Sequence, residues 1–231
     1  MYFFGPYWWF AIPGILLGFY AQMRLSSAYN RYSEEPIQNG LSGAQAAREI
    51  LDRAGLTNVG IEPIGGHLTD HYDPMRKTLF LSEENYDGRS IAAVGVAAHE
   101  AGHALQQQAT YPLFNLRMWL APATQFASSA CYFIFLLGLF LGSAMFTKML
   151  AISIGLFAVI TLFQIITLPV EYDASRRAKR QLTNLGLVQP SESPAVSKML
   201  HAAALTYVAA MLTAILQLLR LIMLYNRNQR R

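Results

Sequence analysis

The chain of 231 residues has one cysteine, Cys131, set in an apolar run. A single thiol excludes both a disulfide framework and a cysteine-ligated metal site. Charge is scarce as well: Asp, Glu, Lys and Arg make up 14% of the chain, against roughly a quarter in ordinary soluble domains. At 53% hydrophobic residues, the composition is too apolar for that class. No charge occurs before Arg24. A cleaved signal peptide carries positive charge ahead of its apolar core and small residues behind it. Here that order is reversed, so the first run reads as a retained membrane helix. The net charge of +4 is small and calls for no nucleic-acid partner; where the basic residues fall matters more than their sum.

Long uncharged stretches are abundant, and they divide the chain. Residues 1–23 form a first transmembrane helix, with Trp8 and Trp9 in an aromatic belt. Pro6 and Pro13 are tolerable there if neighbours satisfy the freed carbonyls. Residues 121–168 read as a hairpin of two spanning helices that turns at Thr147-Lys148; each run meets the ~20 residues a bilayer requires. Residues 202–231 hold a fourth apolar run and a basic tail. Gln217 and Arg220 leave open whether this run spans or lies at the interface. Arg and Lys concentrate in residues 24–120 and 169–201, which the positive-inside rule places in the cytoplasm. The tail residues Arg227, Arg230 and Arg231 conflict with that orientation if the last helix crosses fully. The Arg176-Arg177-Ala-Lys179-Arg180 cluster reads as a juxtamembrane anchor to anionic lipid. Gly138, Gly142 and Ser143 permit close helix packing, within one chain or between copies. A homo-oligomer or a membrane partner protein is therefore open.

The chemistry lies in Ser90-Ile-Ala-Ala-Val-Gly-Val-Ala-Ala-His99-Glu100-Ala-Gly-His103-Ala-Leu-Gln-Gln-Gln108. Two histidines four apart share one face of a helix, a turn apart. That spacing lets two neutral imidazoles reach one Zn²⁺, while Glu100 stands beside the metal where it can take a proton from water. The small residues around them let other elements approach closely. Upstream, Ser42 caps an amphipathic helix through about Ala54. Val59–Ile64 reads as a strand. His71-Tyr-Asp73 runs into a turn at Pro74, and Lys77–Ser82 is a strand after it. A strand just before such a helix often borders the cleft, and its edge suits an extended peptide.

A catalytic zinc site needs a third protein ligand. His67, His71 and His201 are candidates, and Glu171 is the better one. It opens a charged helix start just after Pro169. The expected membrane hairpin also leaves and returns on one face, bringing Glu171 back towards the histidines. Ser175, one turn further on, could hydrogen-bond a ligand. A tetrahedral oxyanion needs a donor besides the metal. His71, Tyr72, His201 and Tyr207 are open for that role, with His71 ranked first as a catalytic residue.

Leu68-Thr-Asp-His-Tyr-Asp-Pro74, Gly95-Val-Ala-Ala-His-Glu-Ala-Gly-His-Ala-Leu-Gln106 and Ala203-Ala-Leu-Thr-Tyr-Val-Ala-Ala210 resemble the neutral zinc metallopeptidase family of small bacterial multi-pass membrane proteins (YugP-like). More remotely the chain is similar to membrane gluzincins such as the HtpX heat-shock protease and the CAAX prenyl endopeptidase. The resemblance implies His99, His103 and Glu171 as zinc ligands and Glu100 as the catalytic base. It also implies proteolysis. The relatives usually carry Asp where this chain has Ser175.

These readings together give a mainly α, membrane-embedded, zincin-like fold. It has three to four transmembrane helices and a small α+β cytoplasmic metallopeptidase region. The expected function is zinc-dependent hydrolysis of peptide or membrane-protein substrates at the cytoplasmic face of the cell membrane. One alternative is a membrane scaffold or interaction protein braced by structural zinc. Another is a site-2-type intramembrane metalloprotease, which would bury the His-Glu-x-x-His helix in the bilayer. The apolar stretch Ile91–Ala98 is short for that.

Overall fold

The structure is a computed structural model, which describes residues 7–140 and 143–229. Pro6, Gly142, Arg230 and Arg231 lie outside the described residues, as does the start of the first apolar run. The protein is mainly helical. A short 3-10 turn, Trp8–Phe10, precedes α1 (Ala11–Glu34); then come α2 (Gly43–Arg53), β1 (Gly60–Ile64), β2 (His71–Asp73), β3 (Thr78–Ser82), α3 (Glu83–Tyr86), α4 (Ile91–Gln108), α5 (Pro112–Phe140), α6 (Ser143–Asn184) and α7 (Ser193–Gln229). These residues form two compact units.

One unit takes residues 1–21, 115–169 and 206–231. It has no Asp or Glu; its charges are Arg117, Lys148 and four arginines near the C-terminal end. Of the large apolar side chains exposed among the described residues, all but Met23, Met75 and Tyr172 belong to this unit. Within it α1 presses on α7, since a methyl group added at Gly14 would meet the Thr213 hydroxyl at 2.6 Å. The Thr161 hydroxyl on α6 donates to the Phe157 carbonyl one turn back, at 2.8 Å. Among the described residues, two helices are long and apolar enough to cross a membrane: Met145–Asn184 and Ser193–Gln229.

Several boundaries differ from those read off the sequence. Thr147 and Lys148, expected to form a turn, lie inside α6. Two hydrophilic residues are not enough to end a helix that apolar neighbours continue on both sides. Pro169 also lies within α6, so the expected membrane segment and the Glu171 helix are one element. The first helix continues past Met23 and Arg24 to Glu34.

The second unit takes residues 22–114 and 170–205 and contains the histidine motif. Helix α2 begins with a capping box: Ser42 accepts from the Gln45 backbone, and the Gln45 side chain accepts from the Ser42 backbone N–H. Its buried face (Ala46, Ala47, Ile50, Leu51) packs into a core with Leu79 and Leu81 of β3, Val94, Ala97 and Ala98 of α4, and Leu182 of α6. The three-stranded sheet has the order β1-β3-β2. Strand β1 runs parallel to β3, and β2 is antiparallel to it with His71 opposite Phe80. Every residue of β3 is buried, as its central place and continuous apolar run dictate. Asp70, just ahead of β2, ties that strand to the end of β3 and to α3. It accepts from the Ser82 N–H at 2.8 Å and from the Asn85 amide at 2.9 Å.

Candidate metal centre

Ser90 caps α4, its hydroxyl accepting from the Ala93 N–H. The helix then carries His99, Glu100 and His103 at the expected spacing. The two imidazole rings lie edge to face with centroids 4.9 Å apart. Opposite them stands Glu171 of α6. Its Oε2 is 3.1 Å from His99 Nε2 and 3.7 Å from His103 Nε2. The three potential donor atoms lie within 4.8 Å of one another, and no other such group of His, Cys, Asp and Glu occurs among the described residues.

Packing explains why these two helices meet at this point. Gly102, between the two histidines, lies against α6: a methyl group there would stand 2.6 Å from the Ala174 carbonyl oxygen. Only a residue without a Cβ permits that approach. Ala174 is itself fully buried. Glu171 lies about one turn before Ala174, and that places its carboxylate over the imidazole pair.

The cluster is enclosed. The Glu171 side chain is 2% exposed and that of His103 is 9%; His99, at 14%, is the most open of the three. Phe114 closes one side of His103, its ring centroid 6.1 Å away. Burial works against a charged Glu171, yet the imidazoles of His103 and His99 beside it hold its carboxyl well below the usual carboxylate range. Glu100 is buried on α4, next to the first histidine.

The imidazole Nδ1 atoms, turned away from Glu171, each have a partner. Ser175 Oγ lies 3.1 Å from His99 Nδ1, in contact with one of the candidate imidazoles. Gln106 Oε1 lies 2.9 Å from His103 Nδ1. In the sequence Gln106 is the first of three consecutive glutamines, which gives it no distinction by composition. Its three-residue spacing from His103 on one helix was the available signal.

His67, His71 and His201 are not part of this three-residue group. His71 is exposed on β2, with its ring stacked on Phe80 at 5.1 Å and Nδ1 2.8 Å from the Thr69 carbonyl. Its neighbour Tyr72 hydrogen-bonds Gln107 of α4. Alternation along a strand therefore turns Tyr72, not His71, towards the motif helix. His67 pairs with Glu84, and His201 lies exposed on α7 with Nδ1 3.4 Å from Ser197 Oγ.

The donor set fits zinc. With Zn–N and Zn–O bonds of about 2.0–2.2 Å, a tetrahedral site places its ligand atoms roughly 3.3–3.5 Å apart, and the 3.1 and 3.7 Å separations bracket that spacing. Two imidazoles and one carboxylate brought together in a small α+β unit are a donor set that suits a class, the zinc metallopeptidases. The chain belongs to the family described as "Putative neutral zinc metallopeptidase", whose model matches residues 7–226. It is similar to the "Putative membrane protease YugP" of Bacillus subtilis (strain 168), with 45% identity over 214 residues, 93% of this chain and 94% of that protein. No solved structure matches it. The resemblance read from the motif thus extends to nearly the whole chain.

Proposed function

We propose that the protein is a membrane-bound zinc endopeptidase that cleaves peptide bonds at the cytoplasmic face of the membrane. The observation that carries this reading is the convergence of His99, His103 and Glu171 with Glu100 beside them on α4. Bound there, zinc would supply Lewis acidity toward a scissile carbonyl and acidify water. His99 and His103 present Nε2 as ligand atoms, and Glu171 presents a carboxylate oxygen. Glu100 takes the proton of the attacking water and returns it to the leaving amine nitrogen. Strand β2 lies at the edge of the sheet, where an extended substrate can add as a further strand. The substrate is a peptide or a membrane protein, in keeping with the name of the relative.

The membrane assignment rests on chemistry. A unit without Asp or Glu, bearing most of the large apolar side chains exposed among the described residues, suits a bilayer and not water. In this reading α1 and α5 span alongside α6 and α7, and the unit with the histidines stands in the cytoplasm, zincin-like in its architecture. The basic residues of 24–120 and 169–201 favour that orientation. The site belongs to the unit that holds all the acidic residues, which favours a surface protease over cleavage within the bilayer.

The deciding experiment compares detergent-solubilised wild type with Glu100→Gln for zinc content and for cleavage of casein. Zinc near one per chain in both, with cleavage only in wild type, is expected. Equal cleavage by both proteins would refute Glu100 as the base, and no cleavage by either, with zinc loss that unfolds the protein, would replace the enzyme with a zinc-braced scaffold.

A further inference from the structure

The hydrogen bonds behind His103 form an ordered chain with only one consistent direction. Gln106 is fully buried. Its amide nitrogen lies 2.8 Å from the Val170 carbonyl oxygen and 3.0 Å from Asp173 Oδ2. A backbone carbonyl can only accept. Asp173, nearly buried, faces the guanidinium groups of Arg177, at 2.6 Å, and Arg176, so it too is present as an accepting carboxylate. Both acceptors demand the NH₂ end of Gln106. The carbonyl end must then face His103 Nδ1, 2.9 Å away. An oxygen there can only accept, so His103 Nδ1 carries a proton, and in the neutral imidazole Nε2 is then the nitrogen with the lone pair.

We propose that Gln106, oriented by Asp173 and the Val170 carbonyl, is a positioning residue that fixes the His103 tautomer and ring for metal binding. This rests on the zinc reading above. The two histidines are supported differently: His99 by a hydroxyl that can donate or accept, His103 by an amide that has no such freedom. Neutral imidazole in water holds its proton on either nitrogen. A His103 with no partner at Nδ1 would be free to protonate Nε2 and would lose its preset orientation. Partners of this kind are typically worth about 10–100-fold in metal affinity. Asp173 is two residues from both Glu171 and Ser175 on α6, so it does not share their face of the helix, and it meets His103 through a glutamine and not directly.

The test measures zinc affinity of the purified full chain by competition with a chromogenic chelator, together with the melting temperature of the metal-free protein. Gln106→Leu is expected to weaken zinc binding by about 10–100-fold. A purely structural Gln106 could lower the melting temperature, so Leu182→Ala, a cavity in the fully buried core of the same unit, serves as a destabilised control. Leu182→Ala is expected to lower the melting temperature at least as much as Gln106→Leu while zinc affinity stays within about threefold of wild type. Wild-type-like affinity of Gln106→Leu, or an equal loss of affinity in Leu182→Ala, overturns the proposal. Absence of zinc binding by the wild type would instead refute the metal site itself.

Discussion

Replacing Gly102 by Ala probes the tightest backbone approach between the two helices of the candidate site. In an isolated helix this change should stabilise by about 1 kcal/mol, because glycine is the poorer helix former. Here the new methyl group would lie 2.6 Å from the Ala174 oxygen, 3.2 Å from its carbonyl carbon and 3.3 Å from its Cα. All three are backbone atoms of α6, so no rotamer change relieves the clash. Restoring ordinary contact requires α4 and α6 to separate by roughly 0.5–1 Å, and overpacking of this kind costs about 1–3 kcal/mol. The net expectation is a less stable protein, opposite in sign to the helix-propensity effect. The same displacement widens the 3.1 and 3.7 Å gaps between Glu171 and the two imidazoles. Zinc affinity should fall at least tenfold, and casein cleavage by about a hundredfold, as expected of a 1 Å misplacement at a reacting centre. Gly95→Ala is the control on the same helix. Its methyl group would meet the flexible tip of Met199 at 2.6 Å, which can move aside, so zinc affinity should stay within twofold of wild type. A Gly102→Ala protein that is more stable than wild type and holds zinc normally would refute the claim that this approach positions the centre.

Further expectations concern the unit that carries the site. Ser42→Ala removes the capping box of α2 and should lower stability by about 0.5–2 kcal/mol in chemical denaturation, with zinc content unchanged. Asp70→Ala leaves the Ser82 N–H and the Asn85 amide without their acceptor, both on buried residues. A loss of about 1–3 kcal/mol is expected, measured by thermal melting of the metal-free protein. His71→Ala should leave kcat for a fluorogenic peptide within about threefold, since this side chain is exposed and engaged with Phe80 and the Thr69 carbonyl; a larger fall in kcat at constant KM would mark it as an oxyanion donor. Zinc removal by a chelator should abolish cleavage, and added Zn²⁺ should restore it; full activity in the chelated protein would exclude a zinc enzyme.

The sequence alone determined the pieces that depend on local chemistry. Helical spacing put His99 and His103 on one face with Glu100 beside them, because a four-residue interval is one turn whatever the helix packs against. Ser42, Gln45 and Gly55 bounded α2 through backbone hydrogen bonds confined to neighbouring residues. The concentration of apolar residues, and the absence of acid from whole stretches, announced a membrane protein before any fold was known. Glu171 stood out as a candidate because only Glu171, Asp173 and Glu192 follow the motif, and Glu171 comes first after an apolar run.

Tertiary structure decided the rest. Whether Thr147-Lys148 ends a helix depends on the balance between two hydrophilic side chains and the continuous hydrogen bonding of a long apolar segment, which no local pattern reveals. The parallel pairing of β1 with β3 joins residues that a hairpin rule would not pair. Gln106 looked like one glutamine in a row of three; its role appears only when α6 supplies Val170 and Asp173 to orient its amide. Gly102 could be read as mere tolerance for close packing until the Ala174 carbonyl occupied the space of its missing methyl group. A metal ligand's identity is written in its own side chain. Its distance from the other ligands and the direction of its proton are set by residues distant in sequence, through contacts that exist only after folding.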